Sequence, residues 1–365
     1  MDWEKLLRSI LEKKASDLHL DVACSPVMRI NGTLMKREDI PPLSRQDVEA
    51  VLEQVTTPEQ RGQFKKEMEL DFAYSFFGLA RFRVNALRQR GTTSLAFRVV
   101  PFKVQTIDEL EMPAICKTLI MKKSGLILIT GSSGAGKSTT QSAMIDHLNE
   151  SARRHVITIE DPIEFIHTNK KCIIVQRDLG DDTKSFDIAL THALRHDPDV
   201  IVLGEMRDLS TISTALRAAE TGHLVIGTLH TTDAVKTINR VIDMFPSSQQ
   251  YQIRQQLAET LEAVLAQTLM NRTLGGRVGV FEILLANDAV RNVIREGKNQ
   301  ELYSLMQLGS QQGMRTMDEA LAELVGKCTI TLEEALTRSL HPEQLTKIYG
   351  SSNGKDRILT GSWKG

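Results

Sequence analysis

Residues 125–139, GLILITGSSGAGKST, decide the fold. An apolar run from Gly125 leads into the pattern G-x-x-x-x-G-K-[ST], which ends at Lys137 and Ser138. Glycines let successive backbone N–H groups turn inward around phosphate oxygens, and a helix that begins at the lysine adds its dipole. A ligand-free turn is a weaker explanation, because a strand precedes the pattern and a helix follows it. The residues predicted to bind ATP are Gly131, Ser132, Ser133, Gly134, Ala135, Gly136, Lys137, Ser138 and Thr139.

Two of these side chains have specific predicted roles. Lys137 should neutralise the β- and γ-phosphates, and the Ser138 hydroxyl should ligate Mg²⁺. The sequence therefore predicts ATP and Mg²⁺ as the cofactors.

Composition indicates an ordinary globular chain. The sequence has 365 residues, 41% of them hydrophobic and 25% charged, which suggests two domains. A formal net charge of −1 argues against a polyanion partner, so no nucleic acid is expected.

The four cysteines form no C-x-x-C pair, and we expect them to be reduced. The N-terminus lacks the features of a signal peptide, and the apolar runs are too short to span a bilayer, so a cytoplasmic location is expected.

Hydrophobic periodicity divides the chain. Short strands at 17–22 and 27–31, alternation in 68–76, 82–86 and 95–99, and helices at 1–15, 44–55 and 58–67 predict a small α/β domain with a largely antiparallel sheet. Later apolar runs alternate with helical stretches, which predicts a parallel sheet covered on both faces. The predicted strands are Gly125–Thr130, Val156–Ile159, Cys172–Val175, Val200–Leu203 and Leu224–Leu229, and the predicted helices cover about 137–149, 184–196, 209–220, 233–244 and 248–266. The predicted divisions are an N-terminal domain (1–100), a linker (101–113), the nucleotide-binding domain (114–285), a helical region (286–348) and a disordered tail (349–365).

Carboxylates follow two of the predicted strands. Glu205 ends an apolar strand as a Walker B acid would, although Gly204 replaces the usual Asp; it could hold Mg²⁺ or merely cap the next helix. Glu160, Asp161 and Glu164 follow another strand. One of them could activate the attacking water, and spacing alone does not choose among them; a solvated acidic turn is the alternative.

Histidines and arginines provide further candidates. His223 precedes a predicted strand and His230 follows it. One of them could detect the γ-phosphate and the other could transmit its presence or loss to the rest of the protein. Alternatively, both histidines could be structural. Arg81, Arg83 and Arg98 lie far from the phosphate loop in sequence. They could simply lie on the solvent-exposed face of the sheet, or they could be arginine fingers that act at the ATP site of a neighbouring subunit.

Together these motifs resemble those of the secretion-superfamily traffic ATPases. The resemblance runs from about Ser16 to about Leu340. Its motifs are the segments 16–20 (SDLHL), 80–85 (ARFRVN), 159–165 (IEDPIEF), 197–208 (DPDVIVLGEMRD) and 220–232 (ETGHLVIGTLHTT), together with the phosphate loop. The resemblance implies a PAS-like N-terminal domain, a RecA-like P-loop core and hexameric rings.

The same resemblance implies roles for single residues. Glu164 corresponds to the catalytic base, and Glu205 to the Walker B carboxylate. His223 and His230 correspond to the family's paired histidines. Arg83 and Arg98 correspond to arginines that act in trans, whereas Arg81 is a weaker match.

Two features resemble the pilus-retraction branch of this family. The retraction signature AIRNLIRE is matched by residues 289–296, AVRNVIRE, and the segment 313–318, GMRTMD, is typical of the same group. The four-cysteine zinc module of pilus-assembly relatives has no counterpart. The resemblance implies an ATP-driven hexameric motor that retracts type IV pili in twitching motility. It implies an inner-membrane platform protein and a paralogous retraction ATPase as partners, and a location at the inner face of the cytoplasmic membrane.

Three rival functions stay open. An accessory retraction ATPase would share nearly all these motifs. A nucleotide-gated regulator of another motor would bind ATP without hydrolysing it, against which the intact Lys137, Glu164 and Glu205 argue. A DNA-translocating RecA-like motor would need a basic strip along its pore.

Overall fold

The computed structural model describes residues 3–30, 32–76, 80–100 and 104–352, without the side chains of 350–352. These residues divide into two compact units. The first unit contains the described residues up to position 100, together with 162–166 and 178–184; the second contains the remainder. Each unit has its own sheet.

The first unit is built on a six-stranded antiparallel sheet in the order β3-β2-β1-β6-β5-β4. Its strands are β1 (Asp17–Leu20), β2 (Val27–Ile30), β3 (Thr33–Lys36), β4 (Glu69–Phe76), β5 (Ala80–Gln89) and β6 (Thr92–Val100). Its helices are α1 (Trp3–Glu12), α2 (Arg45–Val55) and α3 (Pro58–Glu67). Capping boxes at Ser44 and Thr57 begin α2 and α3, and Leu7, Phe82 and Phe97 belong to one shared core. The predicted antiparallel α/β domain is confirmed, although β3 was not predicted because all four of its residues are exposed and show no alternation in burial.

The second unit is built on a seven-stranded sheet in the order β13-β12-β7-β11-β10-β8-β9. Its strands are β7 (Gly125–Thr130), β8 (His155–Glu160), β9 (Ile173–Asp178), β10 (Val200–Leu203), β11 (Leu224–Leu229), β12 (Leu261–Asn271) and β13 (Arg277–Leu285). The pairs from β12 through β7, β11 and β10 to β8 are parallel, and β13 is antiparallel to β12. The carboxyl ends of these parallel strands therefore share one edge, where ligands bind in open sheets of this kind.

Helices flank this sheet and continue beyond it. They are α4 (Ile115–Ile120), α5 (Lys137–Ser151), α6 (Phe186–Ala193), α7 (Leu209–Glu220), α8 (Ala234–Asp243), α9 (Ser247–Thr260), α10 (Asp288–Glu296), α11 (Leu302–Leu308), α12 (Met317–Gly326), α13 (Leu332–Leu336) and α14 (Pro342–Ser352). Short 3-10 helices lie at Asn299–Glu301 and Ser310–Gln312. Among the described helices, none is both long enough and apolar enough to cross a membrane.

The predicted helix at 248–266 is wrong beyond Thr260. Strand β12 begins at Leu261 and pairs in parallel with β7. Leu, Glu and Ala at its start favour a helix, but burial between β7 and β13 outweighs that local preference. Helix α14 extends to Ser352, so the tail predicted from 349 begins too early; residues 353–365, and 101–103 of the predicted linker, lie outside the described residues.

Candidate functional site

The phosphate loop joins β7 to α5 and requires glycine at its first position. Gly131 has a φ of +149°, and a Cβ there would lie 2.3 Å from the Gln267 carbonyl oxygen. Any side chain at this position would force the loop away from β12. Ser132, Ser133 and Gly134 are exposed, so the outer turn of the loop is accessible to a ligand.

Lys137 is the first residue of α5, as the motif predicts. Its ammonium group donates hydrogen bonds to the carbonyl oxygens of Gly131, at 2.8 Å, and Ser132, at 3.2 Å. These bonds hold the positive charge across the loop. Ser138 and Thr139 follow in the first turn of this 15-residue helix, where unpaired backbone N–H groups favour an anion.

Glu205 forms the second part of the site. It follows β10, and its two carboxylate oxygens have different partners: Arg207 Nε lies 2.7 Å from Oε2, and His230 Nε2 lies 2.9 Å from Oε1. Arg207 also contacts Asp161, at 3.3 Å. We call Asp161, Glu205, Arg207 and His230 the carboxylate cluster. It lies at the same edge of the sheet as the phosphate loop, because β7, β11 and β10 are parallel neighbours.

The alternative role for Glu205, capping the next helix, is wrong. Asp208 is the N-cap of α7, and its carboxylate accepts a hydrogen bond from the Thr211 N–H at 2.8 Å. The structure also explains the unusual Gly204. A Cβ at this position would lie 3.2 Å from the Glu160 Cα atom, so an Asp would crowd the end of β8.

The three acids after β8 differ in their partners. Glu160 accepts hydrogen bonds from Thr158, at 2.6 Å, and Gln176, at 3.2 Å, and Asp161 belongs to the carboxylate cluster. Glu164 is exposed and forms no ion pair with another described residue. It lies in the segment 162–166, which groups with the first unit. Glu164 is thus the member of the three whose carboxylate is not already engaged by a neighbouring side chain.

The two histidines lie at opposite ends of β11. His230 follows the carboxyl end and contacts Glu205, whereas the His223 Nδ1 atom lies 3.0 Å from the Ala218 carbonyl oxygen. Six strand residues span about 20 Å at roughly 3.3 Å per residue, so the structure does not bring His223 to the phosphate loop of its own chain. The predicted role for His223 therefore stays a prediction without a contact to support it.

The first unit brings Arg83 and Arg98 together. They are cross-strand partners on β5 and β6, and both are exposed. The Arg98 Nε atom donates a hydrogen bond to Asp17 Oδ1 at 2.8 Å. A cavity of about 310 Å³ opens beside them, and its lining consists of Asp17, His19, Asp71, Arg83, Asn85, Ala96, Phe97 and Arg98. Arg81 instead pairs with Asp178 at 2.8 Å. Of the three predicted arginines, Arg83 and Arg98 are thus the accessible pair.

Sequence reasoning assigned no role to Arg207 or Gln267. Arg207 lies within a quoted motif, and its spacing of two residues from Glu205 was the available signal. Gln267 lies just beyond the segment that was predicted as a helix, so its place beneath the phosphate loop could not be inferred.

A phosphate loop at the carboxyl edge of a RecA-like sheet defines a P-loop nucleotide-binding protein. The model of the type II/IV secretion system protein family matches residues 2–337, and the chain belongs to this family. The family predicted from the motifs is confirmed, as is the two-part α/β fold.

Similar proteins cover nearly the whole chain. The type IV pilus retractation ATPase PilT of Pseudomonas aeruginosa is 46% identical over 343 residues, which are 94% of this chain and 99% of that protein. The type IV pilus ATPase PilU of the same organism is 41% identical over 361 residues, which are 98% of this chain and 94% of that protein. A crystal structure of the pilus retraction motor PilT with bound ADP has a TM-score of 0.89 at 43% identity, and covers 95% of this chain and 99% of that one.

Proposed function

We propose that this protein is an ATP-hydrolysing motor that powers retraction of type IV pili. The observation that carries the proposal is the shared edge of the sheet in the second unit: the phosphate loop with Lys137 follows β7, and Glu205 of the carboxylate cluster follows β10, with only β11 between these parallel strands. Similarity to PilT over almost the full length of both chains supports the retraction function, as does the similarity to an ADP-bound motor.

The carboxylate cluster and α5 offer a fitting environment for Mg²⁺. Hydroxyl and carboxylate oxygens are the donors that Mg²⁺ prefers, and Ser138 and Glu205 supply them. Arg207 and His230 each occupy one lone pair of a different Glu205 oxygen, so the second lone pair of each oxygen could still hold Mg²⁺, directly or through a water. The bound ion would neutralise phosphate charge during hydrolysis.

The chain's own residues would divide the work of hydrolysis. Lys137 and the loop N–H groups bind the phosphates, and Glu164 accepts a proton from the attacking water. Arg83 and Arg98 come from a neighbouring subunit of a homohexamer and stabilise the charge that develops on the transferred phosphate. Loss of that clamp after hydrolysis lets the N-terminal domain move about the 101–113 linker. Successive movements act on an inner-membrane platform protein, with the ring at the cytoplasmic face of the membrane.

Turnover by point variants tests the core of this proposal. Glu164→Gln removes the base, and Arg98→Ala removes an arginine finger, whose loss costs about 10³- to 10⁵-fold in rate. The wild type should hydrolyse ATP as a hexamer, and both variants should be inactive yet hexameric. A wild-type ring that hydrolyses nothing would instead support the nucleotide-gated regulator.

Mixed rings test whether the arginines act in trans. Lys137→Ala subunits lack a working phosphate loop but keep Arg98, and Arg98→Ala subunits have the reverse defect. At some interfaces in a mixed ring, the intact phosphate loop of an Arg98→Ala subunit faces the intact Arg98 of a Lys137→Ala subunit. Mixing two inactive preparations and allowing exchange should therefore restore part of the turnover, and no restoration would show that Arg98 acts within its own subunit.

An accessory retraction ATPase is the second candidate, because the chain is also 41% identical to PilU over 98% of its length. Complementation separates the two candidates. The principal motor should restore twitching motility in cells that lack their retraction ATPase, whereas an accessory ATPase should do so only when a catalytically inactive principal subunit is present.

A further inference from the structure

We propose that Gln267 is a positioning residue of the nucleotide site, which fixes the conformation of the phosphate loop from below. The inference rests on the proposed role of that loop in ATP binding. Gln267 lies on β12, whose Ala266 pairs in parallel with Thr130 of β7. That register places the next residue along β12 beside Gly131, where the loop begins.

One residue thereby touches both ends of the loop. At the start of the loop, the backbone carbonyl of Gln267 approaches Gly131 so closely that it leaves no room for a Cβ. Near the end, the Gln267 side-chain amide donates a hydrogen bond to the Ala135 carbonyl oxygen at 2.7 Å. That nitrogen would lie 3.3 Å from a Cβ at Gly136, so the glycine allows the amide to approach.

A buried amide at position 267 is less favourable for stability than an apolar side chain would be. Gln267 is 3% exposed, and its Oε1 atom has no hydrogen-bond partner among the described residues. A buried acceptor without a partner destabilises the folded chain, whereas an apolar side chain of the same length would fill the space without that loss. The retained amide is explained if the bond to Ala135 is required to hold the loop in its binding conformation.

A glutamine elsewhere in the same unit provides a matched control. Gln250 on α9 is partly buried, and its amide also donates to a backbone carbonyl, that of Phe245, at 3.1 Å. Gln250→Met removes the same kind of bond at a position outside the phosphate loop, α5 and the carboxylate cluster.

The test compares ADP affinity of the full-length wild type, Gln267→Met and Gln250→Met by calorimetric titration. The bond is worth about 0.5–1.5 kcal/mol, so Gln267→Met should weaken ADP binding by about 2- to 13-fold and raise the KM for ATP with little change in kcat. Gln250→Met should bind ADP as the wild type does, even where its melting temperature falls equally.

Three outcomes would overturn the inference. Gln267→Met could keep full ADP affinity, or Gln250→Met could lose as much affinity as Gln267→Met, which would indicate general destabilisation. Gln267→Asn, whose amide is one methylene too short to reach Ala135, replaces Gln267→Met if that variant fails to fold, and unchanged affinity there would be equally decisive. A wild type that binds no ADP would overturn the proposed function itself, which distinguishes that failure from one of Gln267 alone.

Discussion

His230 Nε2 lies 2.9 Å from Glu205 Oε1, so a histidine that follows β11 meets a carboxylate that follows β10. Arg207 Nε takes the other oxygen of Glu205 at 2.7 Å. These contacts fix the carboxylate in one orientation at the edge of the sheet. The hydrogen bond to Glu205 raises the pKa of Arg207, so this contact favours the charged guanidinium.

Removing Arg207 should therefore slow ATP hydrolysis. Hydrogen bonds to charged groups contribute about 1.5–3 kcal/mol, so Arg207→Ala should lower kcat by about 10- to 100-fold if this energy maintains the working orientation of Glu205. Arg207→Lys should recover part of the loss, because a single ammonium group cannot reproduce the contacts with both Glu205 and Asp161. Steady-state turnover measures both effects. Arg272→Ala, which breaks a pair with Glu111 at 2.9 Å, is the charge-matched control, and equal turnover by the two alanine variants would contradict the prediction.

Asp17 should control Arg98 in the same way within the first unit. Burial alone would raise the pKa of Asp17, but hydrogen bonds from Arg98 and Ser16 outweigh it and hold the pKa below 3.8. The ionised carboxylate thus stabilises the fold above pH 3.8, and that contribution is lost as the pH falls through the folded-state pKa. Asp17→Asn should lower turnover by about tenfold, the smaller value expected for a lost charged hydrogen bond, and should leave ADP affinity and ring size unchanged.

The control for Asp17 lines the same cavity. Asp71 accepts a hydrogen bond from Asn85 at 3.1 Å and has no bond to Arg98. Asp71→Asn should therefore keep wild-type turnover at neutral pH. Equal losses in the two variants would mean that the charge of the cavity matters, rather than the orientation of Arg98.

Local sequence was sufficient for elements whose boundaries carry chemical signals. β7, α7 and β11 were predicted to the residue, because glycines, a capping aspartate or a continuous apolar run mark their ends. β12 was missed because its helix-forming start is overridden by pairing with β7 and β13, which no local pattern reveals. The distant partners of a strand decide its state in such cases.

In the candidate site too, residues within one contiguous motif could be predicted, whereas residues whose role depends on distant partners could not. The phosphate loop is contiguous in sequence, and its motif predicted the positions of Gly131, Lys137 and Ser138. The acids after β8 could not be distinguished by spacing, since their different partners come from Gln176 and Arg207. His223 and His230 look equivalent in sequence, but a strand separates them in space.

Glu282 should make the stability of the second unit depend on pH. Burial raises its pKa from 4.5 to about 7, and hydrogen bonds from the N–H groups of Ala234 and Met317 oppose this only in part. Between pH 4.5 and about 7 the folded chain holds a proton that the unfolded chain releases, so stability falls as the pH rises through this window. The slope from one such group reaches about 1.4 kcal/mol per pH unit.

Glu282→Gln should remove that contribution, because glutamine is neutral at every pH in the window. The difference in melting temperature between variant and wild type should therefore shift in favour of the variant from pH 5 to pH 8. Glu343→Gln, at an exposed position of α14, provides the control. A difference that does not vary with pH would show that Glu282 has the same charge in the folded and unfolded chain.

The last prediction concerns Arg291, which lies within the retraction signature on α10. Its Nη1 atom donates to the carbonyl oxygens of Ala258, at 2.5 Å, and Glu259, at 2.8 Å, and Nη2 lies 3.2 Å from Glu262. Arg291 thus binds the carboxyl end of α9, where unpaired carbonyls and the helix dipole favour a cation.

Arg291→Ala should consequently destabilise the protein by about 1–3 kcal/mol, the cost of leaving such groups without their partner. Thermal melting measures this loss, with Arg295→Ala on the same helix as the control.

Glu296→Ala alters an exposed position of the signature, so it should reduce retraction in cells without lowering the melting temperature, if that face contacts a partner. A stable Arg291→Ala protein that fails to retract pili would instead assign Arg291 to the partner surface, because folding could then no longer account for its place in the signature.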